Sequence, residues 1–117
     1  MEDLRAAFVA LGRLKTAVYG AVDERLRREF GISVGLFETM HVIDTCGVCP
    51  AEHLAAELSV SVPAVQLLIH RIEEGGYCRR SPAQVAVELS LPGRRLVAEA
   101  RAVFEEELRR LLGSAVP

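Results

Sequence analysis

Residues 52–77, EHLAAELSVSVPAVQLLIHRIEEGGY, decide the fold. Leu54, Ala55, Leu58, Val60, Val65, Leu68 and Ile72 recur at helical spacing, and the break at Ser59–Ser61 divides them into two runs. Two such helices, with small Ala55 where they would cross, form a helix-turn-helix. Ser61-Val62-Pro63 opens the second helix, with a hydroxyl at the N-cap and a proline in the first turn, where its missing N–H costs nothing. Gly75-Gly76 can take the left-handed conformation that stops a helix. The motif presents one helix to a partner, and its usual target is the major groove of DNA.

Upstream, Leu4, Phe8, Leu11, Leu14, Val18, Val22, Leu26 and Phe30 form a single apolar stripe. They predict one helix over residues 1–30, about 40 Å long at roughly 1.5 Å per residue. So small a domain cannot cover it, which points to packing on another chain. Gly31-Ile32-Ser33 reads as a stop followed by an N-cap, and Leu36, Phe37, Met40 and Ile43 mark a second helix. Cys46-Gly47-Val48-Cys49-Pro50 reads as a loop. Downstream, residues 77–80 and 85–90 read as two short strands around the turn Ser81-Pro82-Ala83-Gln84. A last helix over 92–112 turns Leu96, Ala100, Val103, Phe104, Leu108 and Leu111 inward, with Glu105-Glu106-Glu107 as a solvated face. The fold class is therefore mainly α with a small two-stranded β wing. It forms a single domain over 1–117, with the winged helix-turn-helix at 33–90 between the long terminal helices.

This order resembles the MarR (multiple antibiotic resistance regulator) family of winged-helix transcription regulators. The resemblance rests on GISVGLFETMHVI before the motif, AEHLAAELSVSVPAVQLLIHRIEEGGYCRR across it and VELSLPGRRLVAEAR after the wing. It implies a homodimer whose first and last helices interlock, two recognition helices in successive major grooves, and control by a small-molecule effector or cysteine oxidation. His41, in the second helix, falls where it could line the family's ligand cleft. Two departures stand out: the wing turn is short and uncharged where the family carries an Asp-Arg pair, and the chain ends at Pro117 where the family adds a dimerisation helix.

Composition narrows the function. At 117 residues, with 50% hydrophobic and 26% charged, the chain is of ordinary globular make-up. A net charge of −2 argues against a general nucleic-acid coat, so DNA binding needs a local basic patch. MEDLRAAF has no basic region followed by an apolar run, and no stretch approaches the ~20 apolar residues of a membrane span. The expectation is a cytoplasmic protein whose three cysteines are thiols. Phosphate-cradling loops, nucleophile elbows and paired catalytic carboxylates are absent from the sequence, which argues against an enzyme.

Docked like other helix-turn-helix proteins, the second helix would turn Ser61, Val62, Pro63, Ala64, Gln66, Leu67 and His70 to double-stranded DNA. Gln66 suits the N6 and N7 edge of adenine, and Val62 or Ala64 a thymine methyl. Ser61, His70, Arg79 and Arg80 suit phosphates. Between Cys49 and Arg80, three arginines (Arg71, Arg79, Arg80) face four glutamates (Glu52, Glu57, Glu73, Glu74), so this head is net −1. That leaves open a sensor or interaction scaffold with weakened or lost DNA binding, and an outward Leu67 would suit a protein contact.

The pair Cys46-x-x-Cys49 carries three open readings. Cys49 at the N-cap of the next helix, followed by Pro50 and Glu52, would have a lowered pKa and react with oxidants. Cys49 and His53, four apart on one helix face, could hold zinc with Cys46, although a structural site wants a fourth ligand. Otherwise both are inert loop residues. Cys78 reads as buried and inert.

Overall fold

The computed structural model describes residues 2–83 and 85–113; Gln84 of the wing turn and the end of the chain lie outside the described residues. Among the described residues, five helices and three short strands follow in the order α1 (Glu2–Phe30), α2 (Val34–Cys46), β1 (Cys49–Pro50), α3 (Ala51–Leu58), α4 (Val62–Glu74), β2 (Cys78–Arg80), β3 (Ala86–Leu89) and α5 (Leu91–Leu112). Their contacts gather into two compact units. One comprises the chain up to Val34 and from Ala102 onward, the other Gly35–Arg101.

In the first unit, α1 runs unbroken, as its stripe predicts. Val22 and Leu26 are buried, whereas Leu4, Phe8, Leu11 and Leu14 are exposed. Asp23 accepts from the Val34 amide at 2.9 Å and from Arg27 Nε at 2.7 Å. That satisfies the first amide of α2, and the two donors, the amide first, hold the Asp23 carboxyl below its usual range. Glu107 departs from the solvated face expected of Glu105-Glu106-Glu107. It is buried, and accepts from Arg110 Nε at 3.1 Å and from Arg25 Nη1 at 3.0 Å. These bonds, Arg110's foremost, lower its pKa to about 2. Its place follows from helical phase: residues 100, 104, 107 and 111 share one face.

The second unit holds the helix-turn-helix. Ala55 is buried, as a tight helix crossing requires, and α4 is anchored by Val65, Ile69 and Ile72, each at most 2% exposed. They pack in one core with Met40, Ile43, Leu54, Val87, Leu89 and Val97. Between the helices Ser59 adopts φ 56°, a left-handed conformation usually left to glycine. Its amide and that of Val60 reach back to Ala56 O and Ala55 O. Gly76, at φ 79°, makes the stop after α4, while Gly75 stays right-handed.

The wing pairs β2 with β3 antiparallel, Cys78 opposite Leu89 and Arg80 opposite Val87. A third strand extends the expected two: β1 pairs with β3 through Cys49 and Val87, giving the order β1-β3-β2. Two residues, one of them proline, carry no period from which to read a strand. Successive strand side chains point to opposite faces, so β3 turns alternate Val87 and Leu89 into the core. At the start of α5 a Cβ on Gly93 would lie 2.0 Å from Tyr77 O, so only glycine permits this approach.

Candidate nucleic-acid interface

Helix α4 begins as read. The Ser61 hydroxyl accepts from Ala64 N at 3.2 Å, and Pro63 sits in the first turn. The buried spacing 65, 69, 72 turns the other face outward. Ser61, Val62, Pro63, Leu67 and His70 are exposed, and Ala64 and Gln66 half-buried. The seven sequence-predicted positions therefore share one surface. Leu67 stands out at 68% exposure, a large apolar side chain in the middle of that face.

The basic residues are less free than the sequence suggests. Arg79 on β2 is exposed but pairs across the ladder with Glu88 at 2.9 Å. His70 Nε2 lies 3.1 Å from Glu74. Exposed pairs of this kind are worth about 0–1 kcal/mol, so a phosphate can displace the carboxylate at small cost. Arg80 differs. With its side chain only 19% exposed, it donates from Nη1 to Gln66 Oε1 at 2.6 Å and from Nε to Glu73 at 3.4 Å. Arginine only donates, so Gln66 must turn its oxygen to Arg80 and its NH2 outward. Arg80, expected at a phosphate, is instead held against Gln66. Local sequence gives no sign of this bond, which joins residues 14 apart through the return of the wing onto α4.

The cysteine region corrects one premise. Pro50, not Cys49, is the N-cap of α3, and no side chain caps that end. Cys49 lies on β1, fully buried. Burial first, then the neighbouring Cys46 thiol, push its pKa up to about 12, the reverse of the activated thiolate expected. Cys46, at the end of α2, is exposed, and its thiol approaches Val48 O at 3.5 Å. His53 is exposed on the first turn of α3. The ligand atoms of Cys46, Cys49 and His53 all lie within 4.8 Å of one another. Cys78 is buried with its pKa raised to about 11, chiefly by burial, as its inert reading requires.

His41 is half-buried, stacked on Phe37 with ring centroids 6.0 Å apart and 3.2 Å from Arg101 Nη2. An apolar cavity of about 70 Å³ lies elsewhere, between Val18, Tyr19, Val22, Val34, Phe104 and Leu108. Pockets for drug-sized ligands run to roughly 300–1,000 Å³, so this one admits only a very small molecule. Among the described residues no helix is long and apolar enough to cross a membrane.

An exposed second helix, a three-stranded wing and a helix on either side define a winged helix-turn-helix protein. The fold is similar to that of solved MarR-family transcription regulators. The transcriptional regulator BldR of Sulfolobus solfataricus matches 97% of this chain and 84% of its own, at TM-score 0.83 and 19% identity. A MarR family protein of Mycobacterium tuberculosis, solved in complex with DNA, matches 89% and 80% at TM-score 0.81 and 22% identity. A MarR family transcriptional regulator of Silicibacter pomeroyi matches 97% and 81% at TM-score 0.83 and 22% identity. The sequence matches no protein-family model and none of the curated proteins.

Proposed function

We propose that this chain is a DNA-binding transcription regulator of the cytoplasm, acting as a homodimer and without enzymatic activity. The observation that carries the reading is the outward face of α4, with Ser61, Val62, Pro63, Ala64, Gln66, Leu67 and His70 on one surface, joined by the exposed Arg79 of strand β2. The likeness to a protein solved on DNA supports it. Gln66, oriented by Arg80, offers its NH2 to a base acceptor such as adenine N7, and Arg79 exchanges Glu88 for a phosphate. The homodimer is supported by the bare stripe Leu4, Phe8, Leu11 and Leu14, which a second copy of α1 would cover. A small-molecule effector belongs to the same reading, its place unassigned.

Electrophoretic shift with DNA upstream of the chain's own gene, at two salt concentrations, tests this. Specific binding that weakens with salt is expected. Arg79→Ala should lower the salt slope by about one, and Gln66→Ala should cost about 1–3 kcal/mol at its base. A second reading, a protein-binding scaffold on the same fold, is favoured by exposed Leu67 and by the carboxylate partners of Arg79, Arg80 and His70. An intact dimer with no shift even at low salt would establish the scaffold instead.

A further inference from the structure

We propose that Cys46, Cys49 and His53 form a binding site for a thiophilic divalent cation of the zinc class, with water or an exogenous ligand in the fourth position. Three separate elements supply the donors. Cys46 ends α2, Cys49 lies on β1 and His53 stands on the first turn of α3. Their ligand atoms lie within 4.8 Å of one another. In a tetrahedral site with Zn–S near 2.3 Å and Zn–N near 2.0–2.1 Å, donors stand roughly 3.5–4 Å apart. Small rotations of the two exposed side chains close that gap, while Cys49 is fixed by β1.

The chemistry suits the geometry. Two thiolates and an imidazole are borderline-soft donors that prefer zinc to magnesium or calcium. Both thiols lose a proton as the ion enters, so the two charges of the cation are balanced and two protons go to solvent. His53 Nε2 lies 3.9 Å from Glu57, one turn further along α3. A carboxylate there can orient the ring, as such groups do for metal-bound histidines. Cys49 faces Val87 in the central strand β3, so one ion would tie the end of α2, the wing sheet and the first helix of the helix-turn-helix together. In the regulator reading, loading would then set the stiffness of the DNA-reading head. The site itself does not depend on that reading.

Anaerobic titration of the reduced, metal-free full-length chain with Co²⁺ tests the site directly. One equivalent should produce thiolate-to-cobalt charge-transfer absorption and the visible bands of a tetrahedral ion, and Zn²⁺ should abolish both. Cys46→Ser and His53→Ala change exposed side chains and leave the buried core intact. Each should weaken Co²⁺ binding by more than the ~10–100-fold typical of losing an outer-shell partner, and Cys46→Ser should also reduce the charge-transfer intensity. Absence of these bands in the folded wild-type chain, or bands unchanged in both variants, overturns the proposal. So does a Cys46–Cys49 disulfide formed under mild oxidant in a chain that takes up no Co²⁺ when reduced, which would make the pair a redox device. DNA binding is measured separately, so failure of the regulator reading leaves the cobalt result standing.

Discussion

Helix α4 and the first half of α1 are both amphipathic, yet the chain treats their apolar faces in opposite ways. Val65, Ile69 and Ile72 of α4 are at most 2% exposed, closed over by Leu54, Met40, Ile43 and the wing residues Val87 and Leu89. Leu4, Phe8, Leu11 and Leu14 of α1 are 49–78% exposed. Hydrophobic periodicity therefore states that a face needs a cover, without stating whose. In the Gly35–Arg101 unit the cover is internal, so α4 is anchored by its buried face and its outward face is free to meet a partner. On α1 the apolar face itself awaits one, and the proposed homodimer supplies it.

The sharpest way to break this contrast is to charge the bare stripe. Phe8→Glu with Leu11→Glu should convert the dimer to monomer, read as a halved mass in sedimentation or light scattering. An unchanged mass would remove the reason for a second copy on α1. Next in size, Ile69→Ala empties part of a closed core and should cost about 2–5 kcal/mol in denaturant unfolding. Leu4→Ala, by contrast, should cost the isolated monomer little. Equal losses from the two would mean that α1 is covered within its own chain.

A smaller effect than that of Ile69 concerns Glu107, the charge buried between Arg25 and Arg110. Glu107→Gln should lower stability at neutral pH by about 1–3 kcal/mol, since it weakens charged hydrogen bonds to a largely covered arginine. Its sign with pH follows from the shift. A carboxylate lowered from 4.5 to about 2 stabilises the fold fully above its ordinary value, and that stabilisation is lost as the pH falls toward 2. The gap between wild type and Glu107→Gln should thus close between about pH 4.5 and 2 in acid denaturation. A gap constant over that range would show that the carboxylate is not ionised in its pairing.

Much of the fold was legible because it rests on local pattern. The Ser61 cap, Pro63 in the first turn, the 65–69–72 spacing and the Gly76 stop are each set by neighbours a few residues away, and together they place α4. What failed were features made between elements. Strand β1 exists only because β3 comes alongside it. Glu107 is buried because helical phase puts it on the inward face, although its charged neighbours in sequence suggested a solvated one.

The same division runs through the site. The sequence by itself determined that one helix would be presented, and which of its residues point outward, because both follow from the 3.6-residue period. It also named Cys46, Cys49 and His53 together from their spacing. Only the tertiary structure decided that Arg80 reaches Gln66, that Arg79 faces Glu88, and that Cys49 is a buried strand residue rather than an activated helix cap. Bond direction and burial depend on which surfaces meet, and those meetings join residues too far apart for any local period to encode.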